Sequence, residues 1–196
     1  MNAHPIPANS NSAAEYFGSL IQKPRQGSFK VYVGRVPVGQ LFNVILNEGR
    51  QLILSGIDVV VALDDNRSTA DFPKSKIIPA KEIPLKEMKY KEVNYDEIQN
   101  LSPGLLIIDD LLHSNLAGVQ PELRYKNVKK YLSQGISVIS TIYGPWDDNL
   151  KTVLSYLGNG AMVPVERWAE LPNDEVVALV FTPKEAFSHA ELLSSN

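Results

Sequence analysis

The chain has 196 residues, 44% of them hydrophobic, with a formal net charge of −3. This length and composition predict one globular domain, and the acidic balance argues against a nucleic-acid partner, which usually requires a basic surface. The absence of cysteine excludes disulfides, thiolate metal sites and cysteine nucleophiles. No apolar run is long enough to cross a membrane and no export signal opens the chain, so a cytoplasmic protein that does not span the membrane is expected.

Composition divides the chain into three predicted regions. Residues 1–27 are rich in Asn, Ser, Pro and Ala, which gives them little apolar surface to bury and predicts a flexible tail. A docking segment is the alternative left open for them. Residues 28–184 are predicted to form the α/β domain, and residues 185–196 a C-terminal tail.

The first half of the domain opens with a strand, a glycine-containing loop and a helix. A short apolar run predicts a strand over 29–33. Apolar residues at helical spacing predict a largely buried helix over 41–54. The β-branched run at 57–63 is typical of a strand buried on both faces. After it, Asp64 and Asp65 are interpreted as loop or helix-start residues.

Residues 64–100 are less regular. The alternating charges of KEMKYKEV (86–93) favour an edge strand, and residues 95–101 favour a short helix. The mixed lysines and glutamates of this stretch are typical of a solvated face.

The second half alternates strands and helices again. Continuous apolar runs predict strands over 105–109, 136–140 and 175–181, and helical patterns are found over 121–133 and 147–157. Unbroken apolar strands that alternate with helices predict a mainly parallel central sheet covered on both faces, which is a three-layer P-loop NTPase-like α/β domain.

Two segments have the position of a ligand site in such a sheet, beyond the carboxyl ends of the strands. The first is the loop from Gly34 to Gln40. The second is the acidic pair Asp109 and Asp110, which follows a hydrophobic strand as a Walker B element does. In that element the first carboxylate holds Mg²⁺ or its water.

The loop keeps the glycine spacing of a phosphate-binding loop but not its chemistry. That motif reads G-x-x-x-x-G-K-[ST], whereas this chain has Gly34, Gly39 and then Gln40 and Leu41. Gln40 brings no charge to the position of the lysine, and Leu41 cannot ligate a metal. Phosphoryl transfer depends on such cations, so catalysis should be lost. Some binding could survive through the helix N-terminus and Arg35. A plain connection without a ligand is the alternative.

At this point the chain resembles the N-terminal cytoplasmic domain of the osmosensitive potassium-channel sensor histidine kinase KdpD. The resemblance covers residues 27–190, and its most specific element is the H-[ST]-N turn after the acidic pair. The matching stretches are GSFKVYVGRVPVGQLFNVILNEGRQLILSGIDVVVAL, DDLLHSNLAG, LRYKNVKKYL, GISVISTI and VPVERWAELPNDEVVALVFTP.

The resemblance, with the loop pattern, implies a set of nucleotide-site residues. They are Gly34, Arg35, Gly39, Gln40, Asp109, Asp110, His113 and Asn115. Asp109 would be a metal ligand only if a nucleotide such as ATP binds with Mg²⁺, and no catalytic residue is expected.

The departures from the family pattern concentrate at this site, because the scaffold strands match while the lysine and hydroxyl are replaced. The sequence therefore predicts a non-hydrolytic regulatory or adaptor domain that binds a protein partner and, as an option left open, a nucleotide weakly. One alternative is an ATPase-like enzyme in which Arg35 or a neighbouring subunit supplies the cation. Another is a structural subunit tethered by its N-terminal tail. A homo-oligomer is also left open.

Overall fold

A computed structural model describes residues 27–67, 69, 71–119, 122–144, 150, 153, 155, 157, 160–163 and 176–181. Residues 1–26 and 182–196, which hold almost all of the two predicted tails, lie outside the described residues. Of the helix predicted over 147–157, the described residues 150, 153, 155 and 157 are helical.

The elements of the described residues follow the predicted alternation of strands and helices. The helices are α1 (Gln40–Leu54), α2 (Tyr95–Leu101) and α3 (Arg124–Ser133), and a 3₁₀ turn spans Lys74–Lys76. The strands are β1 (Phe29–Gly34), β2 (Val59–Ala62), β3 (Ile77–Ile78), β4 (Lys81–Leu85), β5 (Met88–Glu92), β6 (Leu105–Ile108), β7 (Ser137–Tyr143), β8 (Gly160–Val163) and β9 (Val176–Phe181).

The main sheet has seven strands in the order β3-β2-β6-β7-β1-β9-β8. Strands β3, β2, β6, β7 and β1 are parallel to one another, and β9 is antiparallel to both β1 and β8. The predicted mainly parallel sheet is confirmed. The sequence pattern did not predict β8, or that β9 runs in the opposite direction.

Helices cover both faces of this sheet. Alternate strand residues, such as Val61 and Ile107, pack with α1 on one face. Their neighbours, such as Val60 and Leu106, pack with α2 and α3 on the other face. The apolar strands are therefore buried on both sides, as parallel strands usually are, and the three-layer P-loop-like α/β fold is confirmed. In the described part of the chain, no helix is both long and apolar enough to cross a membrane.

Two predicted element boundaries moved by three residues, each for a local reason. Helix α3 begins at Arg124 rather than at residue 121, because Leu123 is extended and forms an isolated antiparallel bridge with Ser114. Strand β7 continues to Tyr143 rather than ending at residue 140, because it pairs with β1 as far as Gly34.

The charged stretch at 86–93 contains a strand, but not at an edge of the main sheet. Strand β5 pairs with β4 in a separate antiparallel hairpin, with Leu85 opposite Met88. Lys86 in the turn between them has a positive φ of 56°, a conformation used by two-residue hairpin turns. The local turn therefore determines the partner of this strand.

Parallel strands end at a common edge of the sheet, and this edge positions the candidate site. The carboxyl ends of β1, β2, β6 and β7 lie together there. The residues that follow these ends, or lie at them, are Gly34, Asp64, Asp109 and Tyr143. We call this edge, with the loops that follow it, the carboxyl edge.

Candidate functional site

The β1–α1 loop, residues 35–39, ends in a tight turn against helix α1. Gly39 has a φ of 94°, a left-handed conformation that glycine adopts without a steric penalty. The Gln40 amide donates to the Pro37 carbonyl at 3.1 Å. The Gly39 amide donates to the Tyr143 hydroxyl at 3.2 Å. Both of these loop amides therefore have acceptors within the protein.

Asp109 follows β6 and is 97% buried, with a relative exposure of 3%. Its Oδ1 accepts a hydrogen bond from Thr141 Oγ1 and another, at 3.0 Å, from the Tyr143 hydroxyl. Its Oδ2 accepts from Arg67 Nη1. Two of these donors come from β7, the strand between β6 and β1, and the third comes from the loop after β2.

Arg67 is the cation of this arrangement. Its guanidinium also contacts Asp65 Oδ1 at 2.8 Å and Asp64 Oδ1 at 3.2 Å, and it lies 4.8 Å from the centre of the Phe42 ring in the first turn of α1. Burial alone would lower the pKa of Arg67, but the hydrogen bond to Asp65 and the charges of the three carboxylates raise it overall. Arg67 is therefore held positively charged beside Asp109.

Arg124 lies beneath the site at the start of α3, and its side chain has no exposed surface. Its Nη1 donates to Asp64 Oδ2 at 2.8 Å and to the carbonyl oxygens of Asp109 and Asp110 at 2.6 and 3.3 Å. Burial opposes the charge of Arg124, but Asp64 outweighs it and the pKa is raised. This buried cation joins the loop after β2 to the loop after β6.

Asp110 adopts an uncommon backbone conformation, with a φ of 45°. Its amide donates to Thr141 Oγ1 at 3.0 Å, so that Thr141 contacts both members of the acidic pair. Burial raises the pKa of Asp110, the charge of Arg124 opposes this shift, and the charge of Asp109 adds to it.

His113 and Asn115 point to a different group of side chains. His113 Nε2 lies 2.9 Å from Oε1 of the buried Glu92 at the end of β5. Asn115 Oδ1 accepts a hydrogen bond from the Tyr95 hydroxyl at 2.9 Å. Arg124 links this group to Asp109, because its Nη2 lies 3.9 Å from Glu92 Oε2.

The predicted residues of the β1–α1 loop are placed at the same edge as Asp109. The Gly34 carbonyl accepts from the Gly144 amide at 3.1 Å, which joins the ends of β1 and β7. Arg35 and Gln40 are exposed to solvent. Gly39 is connected to Asp109 through the Tyr143 hydroxyl.

These residues do not fit a magnesium nucleotide. Leu41, in place of the hydroxyl residue, is fully buried and offers no oxygen. Both oxygens of Asp109 already accept hydrogen bonds, one of them from a cation. Within the part of the chain that the structure describes, no three His, Asp or Glu side chains are grouped so that they could hold a metal ion. The carboxylate that would bind Mg²⁺ is instead neutralised by Arg67.

The residues that surround Asp109 were not predicted from the sequence. They are Asp64, Arg67, Arg124, Thr141 and Tyr143. Asp64 was correctly expected in a loop, but its ion pairs were not foreseen. The sequence position of Asp64 and Arg67 is a signal that could have identified them. Both follow the carboxyl end of β2, as Asp109 follows that of β6.

Comparisons with known proteins identify the family. Residues 25–154, more than half of the chain, match the family described as "KdpD: Osmosensitive K+ channel His kinase sensor domain". A "Putative sensor protein KdpD" of Synechocystis is 32% identical over 167 residues, which cover 82% of this chain and 45% of that protein.

Two further relatives are more distant. The "Sensor protein KdpD" of Escherichia coli is 26% identical over 79% of this chain and 17% of its own length. That of Mycobacterium tuberculosis is 25% identical over 78% of this chain and 18% of its own length. The chain thus spans less than half the length of these curated relatives. It belongs to the KdpD sensor domain family.

Proposed function

We propose that this chain is a non-hydrolytic regulatory or adaptor domain of the KdpD kind, which binds a protein partner in potassium or osmotic signalling. The signalling role is supported by the family, whose description is that of a sensor domain of an osmosensitive K⁺-channel kinase. The non-hydrolytic character is supported by the residues of the carboxyl edge.

The contacts of Asp109 carry this proposal. Its two oxygens are engaged by Thr141, Tyr143 and Arg67. Enzymes that transfer phosphoryl groups rely on a metal ion and a lysine to stabilise the charge of the transition state. In this chain the carboxylate is already neutralised by an arginine, and the loop beside it lacks the lysine. The carboxyl edge therefore supplies neither a metal ion nor a lysine.

A nucleotide is expected to bind weakly. The α1 N-terminus retains its partial positive charge, but the Gly39 amide is occupied by the Tyr143 hydroxyl. Gln40, at the exposed start of α1, adds a neutral donor rather than a cation. We therefore expect nucleotide binding at millimolar concentrations only, with no turnover.

A magnesium-dependent ATPase assay tests the catalytic part of the proposal. We expect the rate of the full chain to equal that of the Asp109→Asn variant and of a protein-free blank. A rate that disappears in Asp109→Asn would instead identify the ATPase-like enzyme, with Arg35, or a residue of a neighbouring subunit, as its cation.

Recovery of the tagged chain from its native cell tests the partner. We expect a protein to co-purify in stoichiometric amount with the chain, but not with the tag alone, and to remain bound when nucleotide is washed away. Isolation of the chain by itself would contradict the proposal. Deletion of residues 1–26 tests the structural alternative, because a folded domain that loses its complex would point to a tethered subunit.

A further inference from the structure

A magnesium nucleotide site has two parts, one that binds the phosphate anion and one that holds the metal cation. We call them the anion half and the cation half. The anion half consists of loop amides that are free to donate to phosphate oxygens. The cation half consists of a carboxylate that is free to hold a metal ion, with a lysine nearby. In this chain the Gly39 and Gln40 amides of the loop and both oxygens of Asp109 have partners within the protein.

One side chain meets both halves. The Tyr143 hydroxyl accepts from the Gly39 amide at 3.2 Å and lies 3.0 and 3.3 Å from the two oxygens of Asp109. It has one proton to donate and lone pairs to accept, so it satisfies the loop and the carboxylate together. Burial, together with the charge of Asp109, raises the pKa of Tyr143 to about 12. The phenol therefore keeps its proton at neutral pH.

A second side chain completes the cation half. Arg67 donates to Asp109 and is fixed in place by Asp64 and Asp65 on one side and by the ring of Phe42 on the other. Its side chain is 22% exposed and that of Asp109 is 4% exposed, so the guanidinium is the more accessible member of the pair. A metal ion that binds Oδ2 of Asp109 would have to replace the guanidinium, which Asp64 and Asp65 also hold.

We infer that Tyr143 and Arg67 are internal ligands of the carboxyl edge. The Tyr143 hydroxyl accepts the hydrogen bond from the Gly39 amide that a phosphate oxygen would accept. The Arg67 guanidinium supplies the positive charge beside Asp109 that a metal ion would supply. The edge is thereby held in one arrangement without a nucleotide. This inference rests on the proposed non-hydrolytic function and explains it. The site lacks the lysine and the hydroxyl of the motif, and side chains of the protein also make the contacts that a nucleotide and its metal would make.

Restoring the missing loop residues with and without the internal ligands tests this inference. The Gln40→Lys/Leu41→Thr variant restores the lysine and the hydroxyl of the motif. A second variant combines the same pair with Tyr143→Phe and Arg67→Gln in the full chain. We call the two proteins the two-residue and the four-residue variant. Binding of a non-hydrolysable magnesium ATP analogue is then measured by calorimetry and by thermal shift.

We expect the four-residue variant to bind the analogue at least about tenfold more tightly than the two-residue variant. Freeing the Gly39 amide and the Asp109 carboxylate lets them interact with the phosphate and the metal ion of the analogue, and tenfold in affinity corresponds to about 1.4 kcal/mol. A matched control adds Tyr90→Phe and Arg50→Gln instead. These remove another tyrosine hydroxyl, on β5, and another guanidinium, on α1, and should leave the affinity unchanged.

Equal affinity of the two-residue and four-residue variants would overturn the inference. If the four-residue variant does not fold, the milder comparison with and without Tyr143→Phe decides in the same way, because that change removes a single hydroxyl. The measurement is independent of hydrolysis. An ATPase activity of the unmodified chain would contradict the proposed function, whereas the affinity comparison concerns only the internal ligands.

Discussion

Lys30 Nζ lies 2.8 Å from Glu48 Oε1, and neither side chain has any surface exposed to solvent. The pair joins the start of β1 to the middle of α1. The second oxygen of Glu48 accepts a hydrogen bond from the Tyr32 hydroxyl at 2.8 Å. The strand and helix that flank the β1–α1 loop are thus held together by charge as well as by apolar packing.

Lys30→Met should destabilise the domain by about 3–5 kcal/mol, because it leaves the Glu48 carboxylate buried without its cation. The double variant Lys30→Met/Glu48→Gln removes the isolated charge but keeps an acceptor for Tyr32, so it should be more stable than Lys30→Met alone. Urea unfolding followed by circular dichroism measures both.

The exposed pair between Lys89 and Glu82 in the hairpin is the control, because solvent screens such pairs. Lys89→Met should leave the unfolding midpoint unchanged. The prediction fails if Lys30→Met is no more harmful than Lys89→Met, or if adding Glu48→Gln lowers stability further.

Thr141→Val should cost about 1–3 kcal/mol of unfolding free energy, because it removes a hydroxyl donor from the buried carboxylate of Asp109. Thr141→Ser keeps the hydroxyl and serves as the matched variant. Thermal unfolding should separate the two, with serine close to the unmodified chain. Equal loss in both would contradict the prediction, because serine keeps the hydroxyl that valine lacks.

Gly49→Ala should destabilise the domain although alanine favours helices. A Cβ at Gly49 would lie 2.3 Å from Ile107 Cδ1, at the contact between α1 and β6. Ile107 is fully buried, so its end has little room to move, and overpacking of this kind costs about 1–3 kcal/mol against a gain of up to about 1 kcal/mol in helix propensity.

Ile107→Val deletes the clashing atom, so the double variant should be more stable than the sum of the two single changes predicts. Chemical denaturation of the four proteins completes the cycle. Strict additivity, or a stabilising Gly49→Ala, would show that the helix can move away from the sheet.

Stability should depend on pH in opposite ways at Asp110 and Asp65. Burial raises the pKa of Asp110 above its ordinary value of 3.8, so the folded state binds this proton more tightly than the unfolded state. Its contribution therefore favours folding in acid and is lost as the pH rises above 3.8 through the folded-state pKa. Asp110→Asn should raise the thermal midpoint at pH 7, by an amount that shrinks toward pH 4. Asparagine also tolerates the positive φ.

Asp65 behaves in the reverse sense. Burial would raise the pKa of Asp65, but the hydrogen bonds and charge of Arg67 outweigh it and lower the pKa below 3.8. Its stabilisation is present above pH 3.8 and is lost as the pH falls through the folded-state pKa. Asp65→Asn should therefore lower the midpoint at pH 7 and have little effect in strong acid. The same direction of change in both variants at pH 7 would contradict the assignment.

The sheet and the first helix could be predicted because their signals are local. Continuous apolar runs gave β2 and β6, and apolar residues at helical spacing gave α1. Parallel strands place their carboxyl ends together, so the β1–α1 loop and Asp109 were correctly expected at one edge. The hairpin partner of β5 was not predictable in this way, since alternating charges are equally typical of an edge strand.

The occupants of the site could not be predicted, because they come from distant parts of the chain. Arg67 is 42 positions from Asp109, and Tyr143 is 34 positions from it. Periodicity reports which face of an element is buried, but not which side chains from separate loops will meet. The sequence indicated that Gln40 and Leu41 had lost the chemistry of the motif. Only the fold shows that Tyr143 contacts the Gly39 amide and Asp109, and that Arg67 contacts Asp109.

Strand β7 separates β1 from β6 in the sheet. Neighbouring strands lie about 4.8 Å apart, so a side chain at the end of β7 is one strand spacing from the loop and one from the acidic pair. Tyr143 occupies that place. A change at a single codon can therefore decide whether the two halves of this edge are joined by the protein itself or left for a small molecule to join. Such a change alters both contacts at once, while the scaffold strands stay the same.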